Sequence, residues 1–285
     1  MRSIPFLAFW LSIFVLVSCA KNDVPAVKTM LDVSYGADPA QKMDIYLPAN
    51  GSTASTKAVI MIHGGGWTAG DKSASTQYVD SLRKRLPDYA VFNINYRLSA
   101  APLNLFPAQE MDVKSAVEFI YNKRSEYNIS DKFVLIGESA GGHLAMLYAY
   151  KYNSPVKIKA VVSLFGPSDL TDMYNNPVNG NPSISLGVAQ AVGATPSVNP
   201  SLYASSSPIN FISAGTAMPT ILLHGGMDIL VSPSQSVAVQ NKLIAAGITS
   251  QYVLYPSKGH GYDWDGATFF DAFNNIQNFL TANVP

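Results

Sequence analysis

The stretch IGESAGGHLA at 136–145 sets Ser139 between Gly137 and Gly141, at the end of an apolar run and the start of a helical one. Glycines at these positions let a chain turn sharply, so that a serine side chain can stand clear of a strand end. The simpler reading is a small residue where a strand meets a helix. A hydroxyl at neutral pH is a weak nucleophile unless a base takes its proton, and the chain has four histidines from which to supply one. His143 follows Ser139 by one helical turn, too close to face it. His63 opens HGGGW, and His224 ends an apolar run before GGMD. His260, in SKGHGYDW, lies on a glycine-flanked loop from which an imidazole can reach over a sheet, and elimination favours it over a solvated loop histidine. A third group should hold the imidazole in one tautomer. Asp228 in LLHGGMD follows an apolar run by a short glycine turn and suits that role better than a plain turn aspartate. Asp263 and Asp265 follow His260 too closely, Asp265 suits a helix cap, and Asp169 and Asp172 fall in an irregular stretch. Backbone amides at Gly65, Gly66 and Ala140 are the expected donors for a developing oxyanion. Together these residues offer the parts needed for acyl transfer.

The elements that must position them can be read from periodicity. TMLDVSYG and KMDIYLP alternate apolar and polar residues around Gly36, Asp38 and Pro39, as a hairpin at a sheet edge does. AVIMI at 58–62 reads as a strand buried on both faces. A helix over 73–86 and a strand YAVFNINY come next. Pro107 opens a second helix, with Met111, Val113, Val117, Phe119 and Ile120 assigned to the inner side and Asp112, Lys114 and Glu118 opposite. KFVLIG, IKAVVSLFG, the run ending in LLHGG, and SQYVLYP are further strands, alternating with helices after Ser139, over 232–246, and at the C-terminus. This alternation predicts an α/β fold with a mostly parallel sheet and helices on both faces. Residues 166–216 break the pattern. A structureless loop of that length is improbable inside one domain, so a small cap or lid is expected there.

The N-terminus stands apart. MRSIPFLAFWLSIFVLVSCAKND carries one Arg, an apolar run from Ile4 to Val17, then small residues, the layout of a secretory signal. The run is shorter than the roughly 18–20 residues that span a bilayer. LVSC at 16–19 resembles a bacterial lipobox, and Cys19 is the sole cysteine of the chain. That resemblance implies a leader over 1–18, lipidation at Cys19, a tether over 19–28 and a domain over 29–285, exported and held at a membrane by its lipid anchor. Composition excludes other classes: Lys plus Arg equals Asp plus Glu at 19 each, so no basic stripe marks a nucleic-acid partner. No Walker loop, dinucleotide fingerprint, paired cysteines or HExxH occurs, and neither a cofactor nor a metal is expected.

As a set, HGGGW, GESAGGHLA, SPINFIS, LLHGGMD and GHGY resemble the α/β-hydrolase superfamily from about Thr29 onward. The resemblance is closest to the HGGG-bearing branch of hormone-sensitive-lipase-like esterases and to bacterial feruloyl-esterase-like lipoproteins. It implies the chain order nucleophile, acid, histidine, which maps onto Ser139, Asp228 and His260. It also implies that His63 orients the oxyanion loop and that Glu138 makes structural contacts. Trp67 is shared with feruloyl-esterase-like members and with arylformamidases, which marks it as a substrate-pocket residue and leaves the substrate open. The resulting expectation is a serine hydrolase of carboxylic esters, with acetyl or feruloyl groups on carbohydrates as the substrate class. Arylformamidase-like amide hydrolysis and a catalytically silent binding module are the alternatives.

Overall fold

A computed structural model describes residues 27–285. The expected leader and Cys19 lie outside the described residues, as does nearly all of the expected tether. Among the described residues eight strands form one sheet: β1 Lys28–Ser34, β2 Lys42–Leu47, β3 Lys57–Ile62, β4 Tyr89–Ile94, β5 Phe133–Glu138, β6 Ile158–Leu164, β7 Thr220–Gly225 and β8 Ser250–Tyr255. Their spatial order is β1-β2-β4-β3-β5-β6-β7-β8. The first two strands pair as the predicted edge hairpin and β2 runs antiparallel to β4, whereas every pairing from β4 to β8 is parallel. Strands β3 to β7 are buried along nearly their whole length, as a sheet covered on both faces requires.

The helices are α1 Thr76–Arg85, α2 Ala108–Asn122, α3 Ala140–Lys151, α4 Leu170–Asn175, α5 Pro182–Val192, α6 Pro200–Ser205, α7 Ser234–Ala245 and α8 Gly266–Asn283. Alternate strand residues feed two apolar layers. Ile60, Ile62 and Leu135 face α2, α3 and α7, while Val59, Met61 and Val134 face α1 and α8. Each fully buried Leu, Ile or Val contributes about 1.5–3 kcal/mol relative to exposure. After β3 the chain steps outward to β4 and then returns to β5 on the other side. Such a reversal opens a crevice at the carboxyl ends of the strands.

One helix face differs from its sequence reading. Met111 is exposed and Asp112 is fully buried. At 100° per residue Met111 lies about 20° from Glu118 and Asp112 about 40° from Ala116, so periodicity overrides residue type. Arg97 compensates the carboxylate with Nη2 at 2.7 Å, Nε at 2.9 Å and its backbone N–H at 2.8 Å, and Gln41 Nε2 donates at 2.7 Å.

The irregular stretch 166–216 carries α4, α5, α6 and two 3-10 turns. Each helix starts on a side-chain cap: Asp169, Asn181 and Asn199 accept from Asp172, Ser183 and Leu202 amides. Gln235 on α7 pins the segment. Its Oε1 accepts from the Ser168 and Asp169 amides and its Nε2 donates to Asp172 at 2.7 Å.

Candidate active site

Strand β5 ends at Glu138 and α3 begins at Ala140, leaving Ser139 alone at the turn with φ 51° and ψ −119°. A non-glycine residue in that region is strained by on the order of 1–3 kcal/mol and persists only where its surroundings hold it. Here its N–H donates to Leu164 O at 2.8 Å and its C=O accepts from His143 N at 3.0 Å. Close packing explains the flanking glycines. A Cβ on Gly137 would lie 2.2 Å from the backbone of Gly141, and one on Gly141 would lie 2.1 Å from Ile62 O.

The turn aims Ser139 at the loop after β8. Its hydroxyl donates to His260 Nε2 at 2.8 Å, and His260 Nδ1–H donates to Asp228 Oδ2 at 2.6 Å. An ionised carboxylate only accepts, so it fixes the proton on Nδ1 and leaves Nε2 free to accept from the serine. Asp228 stands on the turn after β7. Its Oδ1 accepts from the Leu230 and Val231 amides at 2.8 and 2.9 Å, while the second oxygen also lies 3.2 Å from His224 Nε2. Burial pushes the carboxyl up, but hydrogen bonds from His224, His260 and Val231 outweigh it and hold Asp228 well below the usual carboxylate range. His224 is itself oriented: Nδ1 accepts from the Ser236 hydroxyl at 2.8 Å, and Nε2–H also reaches Val231 O at 3.0 Å. This second histidine on Asp228 was missed in the sequence, where position 224 reads only as the end of a strand.

The HGGGW loop follows β3 on the other side of Ser139. Gly65, at φ 107°, has no room for a Cβ, which would fall 2.0 Å from Ala69 O. His63 stacks on Tyr96 with ring centroids 4.3 Å apart and donates Nδ1–H to Gly64 O at 2.6 Å. Among the described residues the amides of Gly65, Gly66 and Ala140 donate to no protein acceptor, and all three line the cavity that contains Ser139. Trp67 anchors the loop in the core. Its indole N–H donates to His143 Nδ1 at 3.2 Å, and its ring meets His143 and Phe106 edge-on. It still contributes to the cavity wall. Burial lowers the His143 pKa to about 4, so its neutral ring serves as a buried strut that also donates Nε2–H to Ser206 O at 2.7 Å. Glu138 is pushed up by burial, while the Ser75 hydroxyl, Tyr78 and the Gly64 amide pull it back. Ser75 Oγ donates to it at 3.0 Å.

A cavity of about 280 Å³ opens over Ser139 and His260. Beyond the HGGGW loop its walls include Met173, Ile184, Val188, Leu230 and Val231. The first three belong to the irregular stretch and were not found in the sequence. The signals available were the Asn181-Pro182 helix start and the four-residue spacing of Ile184 and Val188. Among the described residues no group of three or more His, Cys, Asp or Glu side chains could hold a metal ion. The arrangement can activate a hydroxyl, accept its proton and offer free amides to an oxyanion.

Comparison with known proteins matches the BD-FAE family model to residues 43–243. Esterase LipC of Mycobacterium tuberculosis is 27% identical over 87% of this chain and 64% of its own length. LipM of the same organism, a probable carboxylic ester hydrolase, is 31% identical over 83% of this chain and 57% of its own. The chain therefore spans less than two thirds of these curated relatives. A solved truncated form of a carbohydrate esterase from gut microbiota superposes with a TM-score of 0.77 at 26% identity, covering 92% of this chain and 98% of that one.

Proposed function

The chain belongs to the BD-FAE family of the α/β-hydrolase fold, and on that premise we propose that it hydrolyses carboxylic esters through an acyl-enzyme, with acyl groups on carbohydrates as substrates. The observation that carries the reading is the unbroken relay from a strained, cavity-facing Ser139 through His260 to Asp228, at 2.8 and 2.6 Å. Ser139 Oγ attacks the ester carbonyl as His260 Nε2 takes its proton. The carbonyl oxygen becomes an oxyanion held by the Gly65, Gly66 and Ala140 amides, which need no reorganisation as the charge forms. His260, doubly protonated, is stabilised by Asp228 and returns its proton to the leaving alcohol, which breaks the C–O bond. Water, activated by the same imidazole, then releases the carboxylic acid and restores Ser139.

The carbohydrate part of the reading is supported by the gut carbohydrate esterase, and the segment 166–216 serves as the cap that shapes the acyl cavity. Replacing Ser139→Ala should lower kcat on p-nitrophenyl acetate by on the order of 10⁴-fold or more. Turnover retained by that variant would eliminate the triad mechanism. A folded wild-type protein that cleaves neither esters nor amides would favour a silent binding module.

A further inference from the structure

Two cavities meet at the Ser139–His260 pair and share Gly65, Ser139, His260 and Tyr262 as lining. The first is the 280 Å³ space described above, onto which the Gly66 and Ala140 amides open. The second, of about 340 Å³, lies between α1 and the His260 loop, walled by Tyr78, Phe165, Tyr262 and Glu138. Their chemistry differs. One is closed mainly by aliphatic side chains, whereas the other combines aromatic rings with a carboxyl group.

An ester poised for attack has two arms, and the two cavities give each arm a place. The amides that would hold the oxyanion adjoin the aliphatic cavity, which suits an acyl chain. Across the nucleophile, His260 must hand its proton to the leaving oxygen, and its ring lies against Phe165 at 4.7 Å. Glu138 has about four acceptor positions, of which Ser75 occupies one, with Tyr78 and the Gly64 amide also bearing on it. Tyr262 is 89% exposed and forms no side-chain hydrogen bond among the described residues. Its ring sits 6.0 Å from that of His260, and neither core packing nor the proton relay uses it.

Resting on the carbohydrate-ester reading above, we propose that the second cavity is the subsite for the leaving saccharide, and that exposed Tyr262 is the platform on which its ring packs. The apolar C–H face of such a ring packs on Tyr262, and its hydroxyls turn toward the Glu138 and Tyr78 side. An aromatic wall with one or two placed polar groups fixes both position and orientation of a ligand.

The test compares an acetylated methyl xyloside with ethyl acetate, which has the same acyl group but an alcohol too small to span the cavity. Wild type should favour the saccharide in kcat/KM. The preference should fall about tenfold in Tyr262→Ala, mainly through KM for the saccharide, and be restored in Tyr262→Trp. Absence of a preference in wild type, or a preference unaltered in Tyr262→Ala, overturns the proposal. A second measurement needs no turnover: saturation-transfer NMR of methyl xyloside on Ser139→Ala protein. Transfer that is lost when Tyr262→Ala is added supports the subsite, and absent or undiminished transfer overturns it. Wild type that binds the glycoside through Tyr262 but cleaves no ester would refute the hydrolase reading while leaving the saccharide subsite standing.

Discussion

Asp228 and Asp112 are both buried carboxylates with near-complete sets of donors, yet their networks lead to different places. Asp112 accepts from the Arg97 side chain and backbone and from Gln41, joining α2 to the segment after β4 and to the turn that enters β2. Asp228 accepts from two amides and two imidazoles. Hydrogen-bond saturation alone does not separate structure from function. The distinction lies in the partner: a guanidinium stays charged at all ordinary pH, whereas an imidazole can take and return a proton. Asp112's network ends in backbone. Asp228's network ends in a hydroxyl that faces a cavity.

The sharpest way to break this contrast is to remove one charge from each carboxylate and read both rate and stability. Asp228→Asn should reduce kcat by about 10⁴-fold, because Asn can hold the imidazole in the wrong tautomer while leaving the fold in place. A loss of less than tenfold in a folded variant would mean that Asp228 does not govern His260.

Asp112→Asn should show the opposite profile. Replacing the carboxylate under Arg97 with a neutral amide removes the charge and turns one acceptor into a donor, which costs about 3 kcal/mol, seen as a lower denaturant midpoint, while kcat per folded molecule stays within a few-fold of wild type. The cost is kept to that size because Arg97 is partly exposed and can recover some hydration. A variant with wild-type stability and a collapsed rate would reverse the assignment of the two carboxylates.

The same pair explains what could be read from sequence. Ser139, Asp228 and His260 each follow a strand and have glycines within two residues, and a chain with so few histidines allows elimination. The backbone constraint of a turn at a strand end is local, so it leaves a local mark. Asp112 left a misleading one, since residue type placed it outward among Lys114 and Glu118 while the helical angle placed it inward. The partners that make burial tolerable, Arg97 and Gln41, come from other elements. The second cavity was invisible for a similar reason: Tyr78 comes from α1, Glu138 from the end of β5 and Phe165 from just after β6. No short window contains them. The helices of 166–216 were legible in principle through Asn181-Pro182 and Asn199-Pro200, but their apolar stripes are too short to dominate a periodicity reading.

The smallest expected effect sharpens the comparison along the pH axis. Hydrogen bonds from His224, His260 and Val231 depress the folded-state pKa of Asp228 despite its burial. A carboxyl depressed in the folded state binds its proton more weakly there than in the unfolded chain. Its stabilising contribution is therefore complete above the unfolded value near 4 and disappears as pH falls toward the folded one. Asn at this position does not titrate, so below pH 5 the stability gap between wild type and Asp228→Asn follows this carboxyl. The gap should narrow by roughly 1–3 kcal/mol as pH drops from 5 toward 2. Urea midpoints for both proteins across that range provide the measurement. A gap that stays constant, or widens in acid, would show that the two imidazoles and the turn amides do not hold Asp228 ionised, and the electrostatic half of its contrast with Asp112 would fall.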